Sequence, residues 1–275
     1  ADADAASSAL SMAALCTALG TPPIGVTAGD AMIPDNLNFI PGSDQLVHYD
    51  AAALDALLDE TDLLILVDCS DERRLGPLFY RHAENFARGR IVVNIDHHVS
   101  NTRFGNLNLV VPAAGSTAEL MTVLYGELDI HIDTPLASIL LAGIYGDTLG
   151  LRTPSTSANA LRTAADLIER GADLDTIVDH LFRLKPYSSI QLWGLALSAA
   201  QWRGTLIWTL VTPEMLERTG AHRSEAEGIV NFLAGTLGAR AAALIYEESW
   251  GYRVSMRTLA EDVDAESRKT GHREA

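Results

Sequence analysis

The 275-residue chain is 48% hydrophobic and 20% charged, the profile of a globular protein with a sizeable core. Its 36 acidic and 20 basic side chains leave a formal charge of −16, which argues against a processive nuclease on long duplexes, because non-specific grip on a polyanion needs Lys and Arg in excess. No apolar run reaches the ~20 residues of a membrane span, and two cysteines, Cys16 and Cys69, give neither a disulfide framework nor a zinc pattern, so a reducing cytoplasm is the expected location.

In chain order, Ala5 to Leu19 carries small and apolar residues at helical spacing, and Gly20 with Pro22 stops it. With Asp2 and Asp4 ahead of it and no basic flank, it is expected to be a domain helix and not a secretion signal. Ile24 to Ala28 is a short strand candidate. Leu63 to Val67, closed by Asp68, and Ile91 to Ile95, closed by Asp96, are continuous apolar runs that suit strands buried on both faces of a parallel sheet. Helical segments between them predict an α/β arrangement with right-handed crossovers. Ligands of such sheets gather beyond the carboxyl ends of the strands, where Asp68 and Asp96 stand.

From Ser116 the pattern turns helical, with segments near Ser116–Gly126, Pro135–Leu149, Ala158–Arg170 and Leu174–Phe182. Leu184-Lys185-Pro186 is a break, followed by a helix from about Ser188 to Ala200. Strands are predicted at Leu206–Val211, Ala241–Tyr246 and Tyr252–Arg257, with a helix near Ser224–Leu233 between the first two. The predicted fold class is α/β with two domains, a larger one at 1–185 with a mostly parallel sheet and a smaller α/β one at 201–275. Residues 186–200 would form a helical connector.

The acidic groups are the chemically informative residues. Asp2 and Asp4 open the first helix, Asp68 ends one strand, and Asp96-His97-His98 ends the other. Asp147 ends the apolar run from Leu140 to Gly146, where an unpaired carboxylate is costly. Asp2 and Asp4 also suit the positive end of a helix dipole, Asp68 suits a turn, and Asp147 suits a hydrogen-bonded core position. Asp-His-His at a strand end is more specific. Carboxylates converging in one crevice must take up protons or enclose divalent cations. Oxygen donors with one or two imidazoles favour Mn²⁺ over thiolate-loving ions, with Mg²⁺ or Co²⁺ as substitutes. Two such ions would activate a water toward phosphorus.

Asp-x-Asp leading a helix, Asp68 after an apolar strand, the triplet and a helical Asp147 resemble, in their order, the motifs of the DHH phosphoesterases. The stretch Ile95-Asp96-His97-His98-Val99-Ser100-Asn101-Thr102-Arg103-Phe104-Gly105 is similar to the oligoribonuclease/3′-phosphoadenosine-5′-phosphate phosphatase branch, the NrnA-type nanoRNases. Pro34-Asp35-Asn36-Leu37 through Pro41-Gly42-Ser43 and Gly143-Ile144-Tyr145-Gly146-Asp147-Thr148 also fit that branch.

The resemblance implies two Mn²⁺-type ions, with Asp2 on one, Asp4 on the other, Asp68 bridging, and His97 and Asp147 as further ligands. It places His98 beside the scissile phosphate as a contact or proton donor. Asp96 is expected to orient His97. Arg103, Arg257 and the Gly271-His272 pair would hold substrate, with the active site in the cleft between the domains. The implied substrates are short single-stranded RNA, dinucleotides and 3′-phosphoadenosine-5′-phosphate, hydrolysed to mononucleotides, and a homodimer stays open. Two departures stand out: the His that opens the family's first motif would lie upstream of Ala1, and the Gly-rich run before His272 keeps one Gly, Gly271. A phosphodiesterase of cyclic dinucleotides is the alternative enzyme, and a nucleotide sensor with an incomplete site the alternative outside catalysis.

Overall fold

The computed structural model describes residues 2–27, 34–47, 51–76, 79–80, 90–248 and 251–258. The chain divides into two units, Ala1–Leu184 and Lys185–Ala275.

In the first unit, strands β1 (Leu63–Val67), β2 (Ile91–Asp96) and β3 (Leu107–Val110) form a three-stranded sheet, parallel throughout, with β2 in the middle. Leu63 pairs with Ile91 and Val67 with Ile95, while Val93 pairs with Leu107 and Asp96 with Val110. Along β2 only Ile91 is exposed, at 54%, while Val92, Asn94, Ile95 and Asp96 are buried, so the strand is enclosed through most of its length. The sequence singled out β1 and β2 but not β3, whose Leu-Asn-Leu-Val is too short and too mixed to read as an apolar run. Ile24 to Thr27 belongs to no strand, although Val47 N–H reaches the Val26 carbonyl, and Ala28 lies outside the described residues.

The helices are α1 (Ala3–Ala18), α2 (Ala51–Asp59), α3 (Thr117–Glu127), α4 (Thr134–Asp147), α5 (Ala158–Glu169) and α6 (Leu174–Val178). Side-chain caps set their starts: Asp2 accepts from Ala5 N–H, Ser116 from Glu119 N–H and Asp133 from Leu136 N–H. α6 widens into a π-helical turn at Asp179–Arg183 where one continuous helix was expected. The core gathers Leu10, Leu15, Met121, Tyr125, Leu140, Leu141 and Ile144 between α1, α3 and α4. Tyr125 is buried with its hydroxyl donating to the Ser11 carbonyl at 2.7 Å, which joins α3 to α1.

These three helices approach closely because the facing residues are small. A Cβ added at Gly143 would stand 2.6 Å from Ala118 Cβ, 2.9 Å from Asp4 Oδ1 and 3.0 Å from Ser7 Cβ. One at Gly146 would stand 2.6 Å from Ala3 Cβ. The contact between α1 and α4 therefore fixes where the first turn of α1 meets the last turn of α4.

In the second unit, β4 (Gln201–Arg203), β5 (Leu206–Val211), β6 (Ala241–Glu248) and β7 (Gly251–Thr258) form a sheet in that order. The β5–β6 pair is parallel and the outer pairs are antiparallel. Helices α7 (Tyr187–Ser198), α8 (Pro213–Thr219) and α9 (Ile229–Ala234) accompany it. Leu192 and Ala196 of α7 are fully buried with Ile207, Ile229, Ala242 and Leu244. The helix expected to act as a connector is thus part of this core. The expected Ser224–Leu233 helix is split into a 3-10 turn, Arg223–Ala226, and α9 by Gly228. At φ +92° with Trp193 3.1 Å from where its Cβ would be, Gly228 breaks a helix that hydrophobic spacing alone suggests.

Gly143→Ala is expected to destabilise the protein by about 1–3 kcal/mol in urea melts, the overpacking cost outweighing the gain in helix propensity. An unchanged or higher midpoint would show that α1 and α4 are not pressed together at this position.

Candidate metal centre

Three kinds of chain terminus meet at one place: the carboxyl ends of β1 and β2, the amino ends of α1 and α3, and the carboxyl end of α4. Asp68 follows β1 in left-handed backbone, φ 54°, while its N–H donates to the Ile95 carbonyl at 2.9 Å. A non-glycine residue rarely adopts that conformation, and strain of this kind is held by surrounding contacts. Thr117 supplies one, donating its hydroxyl to Asp68 Oδ1 at 3.1 Å.

Asp4 is 1% exposed. It lies in the first turn of α1 but closes the start of α3, accepting from Thr117 N–H at 2.7 Å and Ala118 N–H at 2.9 Å. A helix amino end offers unpaired N–H groups and partial positive charge, which is why a carboxylate is tolerated there. Burial nevertheless raises the Asp4 pKa well above the usual range, the negative fields of Asp68 and Asp147 add to it, and the Ala118 N–H and His97 oppose them. Asp68 is pushed up to about 6 by burial first and then by the charges of Asp2 and Asp147, against the pull of His98 and His97.

His97 Nε2 points into this group, 3.0 Å from Asp147 Oδ2, 3.7 Å from Asp68 Oδ1 and 3.9 Å from Asp4 Oδ2. Despite the short approach to Asp147, this buried nitrogen lacks a partner in hydrogen-bond geometry among the described residues. The other ring nitrogen, Nδ1, is 3.3 Å from the Ala114 carbonyl. Burial works against the imidazolium, but the Asp147 contact and the charges of Asp4 and Asp68 outweigh it and push the pKa up to about 9. The ligand atoms of Asp4, His97 and Asp147 all lie within 4.8 Å of one another. A nitrogen ringed by carboxylates carries either a proton or a cation, and with Nδ1–H given to a carbonyl the bare Nε2 is disposed toward a metal. The donor set fits a hard or borderline divalent ion.

His98 lies beside His97, the two rings 4.6 Å apart and the His98 Nδ1 3.6 Å from Asp68 Oδ1. Its Nδ1 is 2.7 Å from Asp96 Oδ1, and this contact raises the His98 pKa. Asp96 was expected to orient His97; it orients His98 instead. Side chains along an extended chain alternate sides, which puts residues two apart together and leaves His97 to the Ala114 carbonyl. Burial favours the neutral acid at Asp96, but hydrogen bonds from His98 and Asn101 outweigh it and hold the carboxyl below the usual range. Asp68, Asp96, His97 and His98 also cluster with ligand atoms within 4.8 Å. Asp96, already saturated by His98 and Asn101, is the member least available to a cation.

Asp2, expected as a ligand, is exposed and spends its Oδ1 on the Ala5 N–H at 3.0 Å, the helix-dipole role also open to it. It reaches the centre through its charge on Asp68.

A model described as the DHH family, N-terminal domain, matches residues 1–144. The chain belongs to the DHH family. It is 32% identical over 170 residues to a Thermus thermophilus protein named bifunctional oligoribonuclease and PAP phosphatase NrnA, covering 61% of this chain and 50% of that protein. A Bacillus subtilis protein of the same name is 26% identical over 223 residues, 77% of this chain and 69% of that protein. The chain thus spans half the length of the first relative and about two thirds of the second. A crystal structure of an exopolyphosphatase-related protein from Bacteroides fragilis shares the fold, with a TM-score of 0.85 over 95% of this chain and 77% of that one at 22% identity. These relatives agree with the NrnA-type resemblance carried by the triplet and its continuation.

Of the residues expected to hold substrate in this DHH protein, Arg103 is exposed after the triplet, in left-handed backbone with its N–H given to Asn101 Oδ1. Arg257 stands on β7 in the second unit, its Nε donating to Asn231 Oδ1 at 2.9 Å. Gly271 and His272 lie outside the described residues. Two further residues serve the centre without standing out in the sequence: Thr117, which touches both Asp4 and Asp68, and Asn94, whose amide is fully buried inside β2. A polar residue inside an apolar strand run was the available signal for Asn94; nothing local marks Thr117.

In the cation-free protein Asp68 gives up its proton near pH 6 while His97 keeps its own to about pH 9, so between these values a cation displaces the His97 proton. Mn²⁺ affinity measured by calorimetry is therefore expected to strengthen as pH rises between these values, with proton release on binding. His97→Ala and Asp147→Asn should each weaken it by more than the roughly 10–100-fold that loss of an outer partner costs. Affinity independent of pH across that window would contradict the arrangement.

Proposed function

We propose that this chain is a metal-dependent phosphoesterase that hydrolyses short oligoribonucleotides and dinucleotides to mononucleotides, and 3′-phosphoadenosine-5′-phosphate to AMP. The observation that carries this is His97 Nε2, buried without a hydrogen-bond partner among the described residues and faced by Asp4, Asp68 and Asp147. Those four residues would hold divalent cations of the Mn²⁺ type. When bound, such ions polarise a phosphoryl oxygen, lower the pKa of a water molecule and offset the substrate's charge. Thiolate chemistry does not compete: burial pushes Cys69 up to about 11, and its Sγ faces the Asp71 carbonyl.

The rest of the work falls to the chain itself. Asp96, held ionised, keeps Nδ1–H of His98 as a donor and so directs Nε2 outward, where it delivers a proton to the leaving oxygen. Its raised pKa suits an acid at neutral pH. Arg103 and Arg257, with Gly271 and His272, would hold the phosphates that are not cleaved. The names of the two relatives support the substrate class. A net charge of −16 favours short substrates, because no surplus of cations compensates a long phosphate backbone.

With Mn²⁺ present, turnover is expected on a diribonucleotide and on 3′-phosphoadenosine-5′-phosphate, and little on a cyclic dinucleotide or pyrophosphate. His98→Ala should lower kcat about 10²–10⁴-fold, the usual worth of a positioned proton donor, with a smaller change in KM. Binding of a dinucleotide without turnover, or activity that survives Asp147→Asn, would overturn catalysis in favour of a sensor.

A further inference from the structure

Asn101 looks from the sequence like a solvated loop residue or a substrate contact. The structure commits both of its amide hydrogens within the protein. Its Nδ2 lies 2.6 Å from Asp96 Oδ2, 2.8 Å from Asn94 Oδ1 and 3.2 Å from the Cys69 carbonyl, three acceptors for two hydrogens. Its Oδ1 accepts the Arg103 N–H at 2.6 Å. Asn94, fully buried in the middle of the sheet, adds its own Nδ2 to the Cys69 carbonyl at 3.0 Å and the Leu66 carbonyl at 3.4 Å.

The geometry points to Asn101 as the positioning residue of the centre: through Asp96 it fixes the ring of His98. Asp96 has two oxygens, one given to His98 and the other to Asn101. With Asn101 removed, a fully buried carboxylate loses one of its two restraints and can rotate about its own Cβ–Cγ bond, carrying His98 with it. Asn101 therefore acts on chemistry without touching substrate or cation. This inference rests on the proposed role of His98, and its test separates the two.

In the full chain loaded with Mn²⁺, Asn101→Ala is expected to lower kcat on a diribonucleotide about 10–100-fold, the range for loss of an outer partner, while KM and Mn²⁺ affinity change less than about threefold. In a His98→Ala background the same substitution should cost nothing further, because its effect runs through that ring. Asn101→Asp sets a second carboxyl group against the buried Asp96, a pair that shares one proton at low pH and repels at high pH, so its kcat loss should widen as pH rises. A readout independent of turnover is the ¹⁵N spectrum of the labelled histidine rings above the His98 pKa, where the ring is neutral: the Nδ1–H form of His98 should dominate in the parent and give way to a tautomeric mixture in both variants.

An unchanged spectrum together with unchanged kcat overturns the inference. So does an additive loss in the His98→Ala background, which marks a purely structural residue. Absence of turnover in the parent overturns the proposed function alone, and the tautomer measurement then decides the role of Asn101.

Discussion

The structure turns on an excess of negative charge that cannot disperse. Asp4, Asp68 and Asp147 converge on a single imidazole nitrogen, and no Lys or Arg pairs with them among the described residues. The amino end of α3 balances Asp4 through two N–H groups, and the Thr117 hydroxyl gives Asp68 a partial match. What is left over is shared by His97 and, at Asp68, by His98 Nδ1 3.6 Å away. In such a place charge is settled by protons or by cations, and the upward shifts of Asp4, Asp68 and His97 are the proton solution. A divalent ion offers the other solution, at the same atoms.

This repulsion persists because the scaffold removes every way to relax it. Helix α1 cannot slide, since Ala3 and Ser7 rest against Gly146 and Gly143, where a methyl group would not fit. Asp4 cannot swing out, since both of its oxygens are held by the backbone of α3. Asp68 is fixed on its left-handed residue by the Ile95 carbonyl, at the point where the β1–β2 ladder ends. The ligands thus come from the ends of rigid elements and not from long loops, which is how a site keeps sub-ångström geometry. The core built on Tyr125, Leu140, Leu141 and Ile144 serves this placement as much as it serves stability.

Much of this was legible in the residues. Apolar runs closed by Asp marked β1 and β2 because burial and strand termination leave a direct trace in composition, and Asp147 was visible as a charge at the end of an apolar helix. Long-range partners leave no such trace. Thr117 meets Asp4 across 113 positions of sequence, and a Thr opening a helix looks the same whether or not it does so. β3 was missed because pairing with β2, and not its own composition, makes it a strand. The helix at Tyr187–Ser198 was read as a connector because Pro186 signals a break, while the burial of Leu192 and Ala196 depends on a sheet that comes later in the chain.

The triplet shows most clearly what spacing can and cannot say. The adjacent histidines share Asp68 as a neighbour but differ in their nearest partners, so one residue step separates two chemistries. His97 turns its Nε2 to the carboxylates and its Nδ1 to a backbone carbonyl, the arrangement of a ligand. His98 turns its Nδ1 to Asp96, the arrangement of an oriented acid. Asp96 sits two residues before His98 and one before His97, so the period of the strand it ends assigns it to the second histidine. Sequence order alone suggests a carboxylate serving its neighbour; here it serves the next residue but one, and leaves His97 to the Ala114 carbonyl.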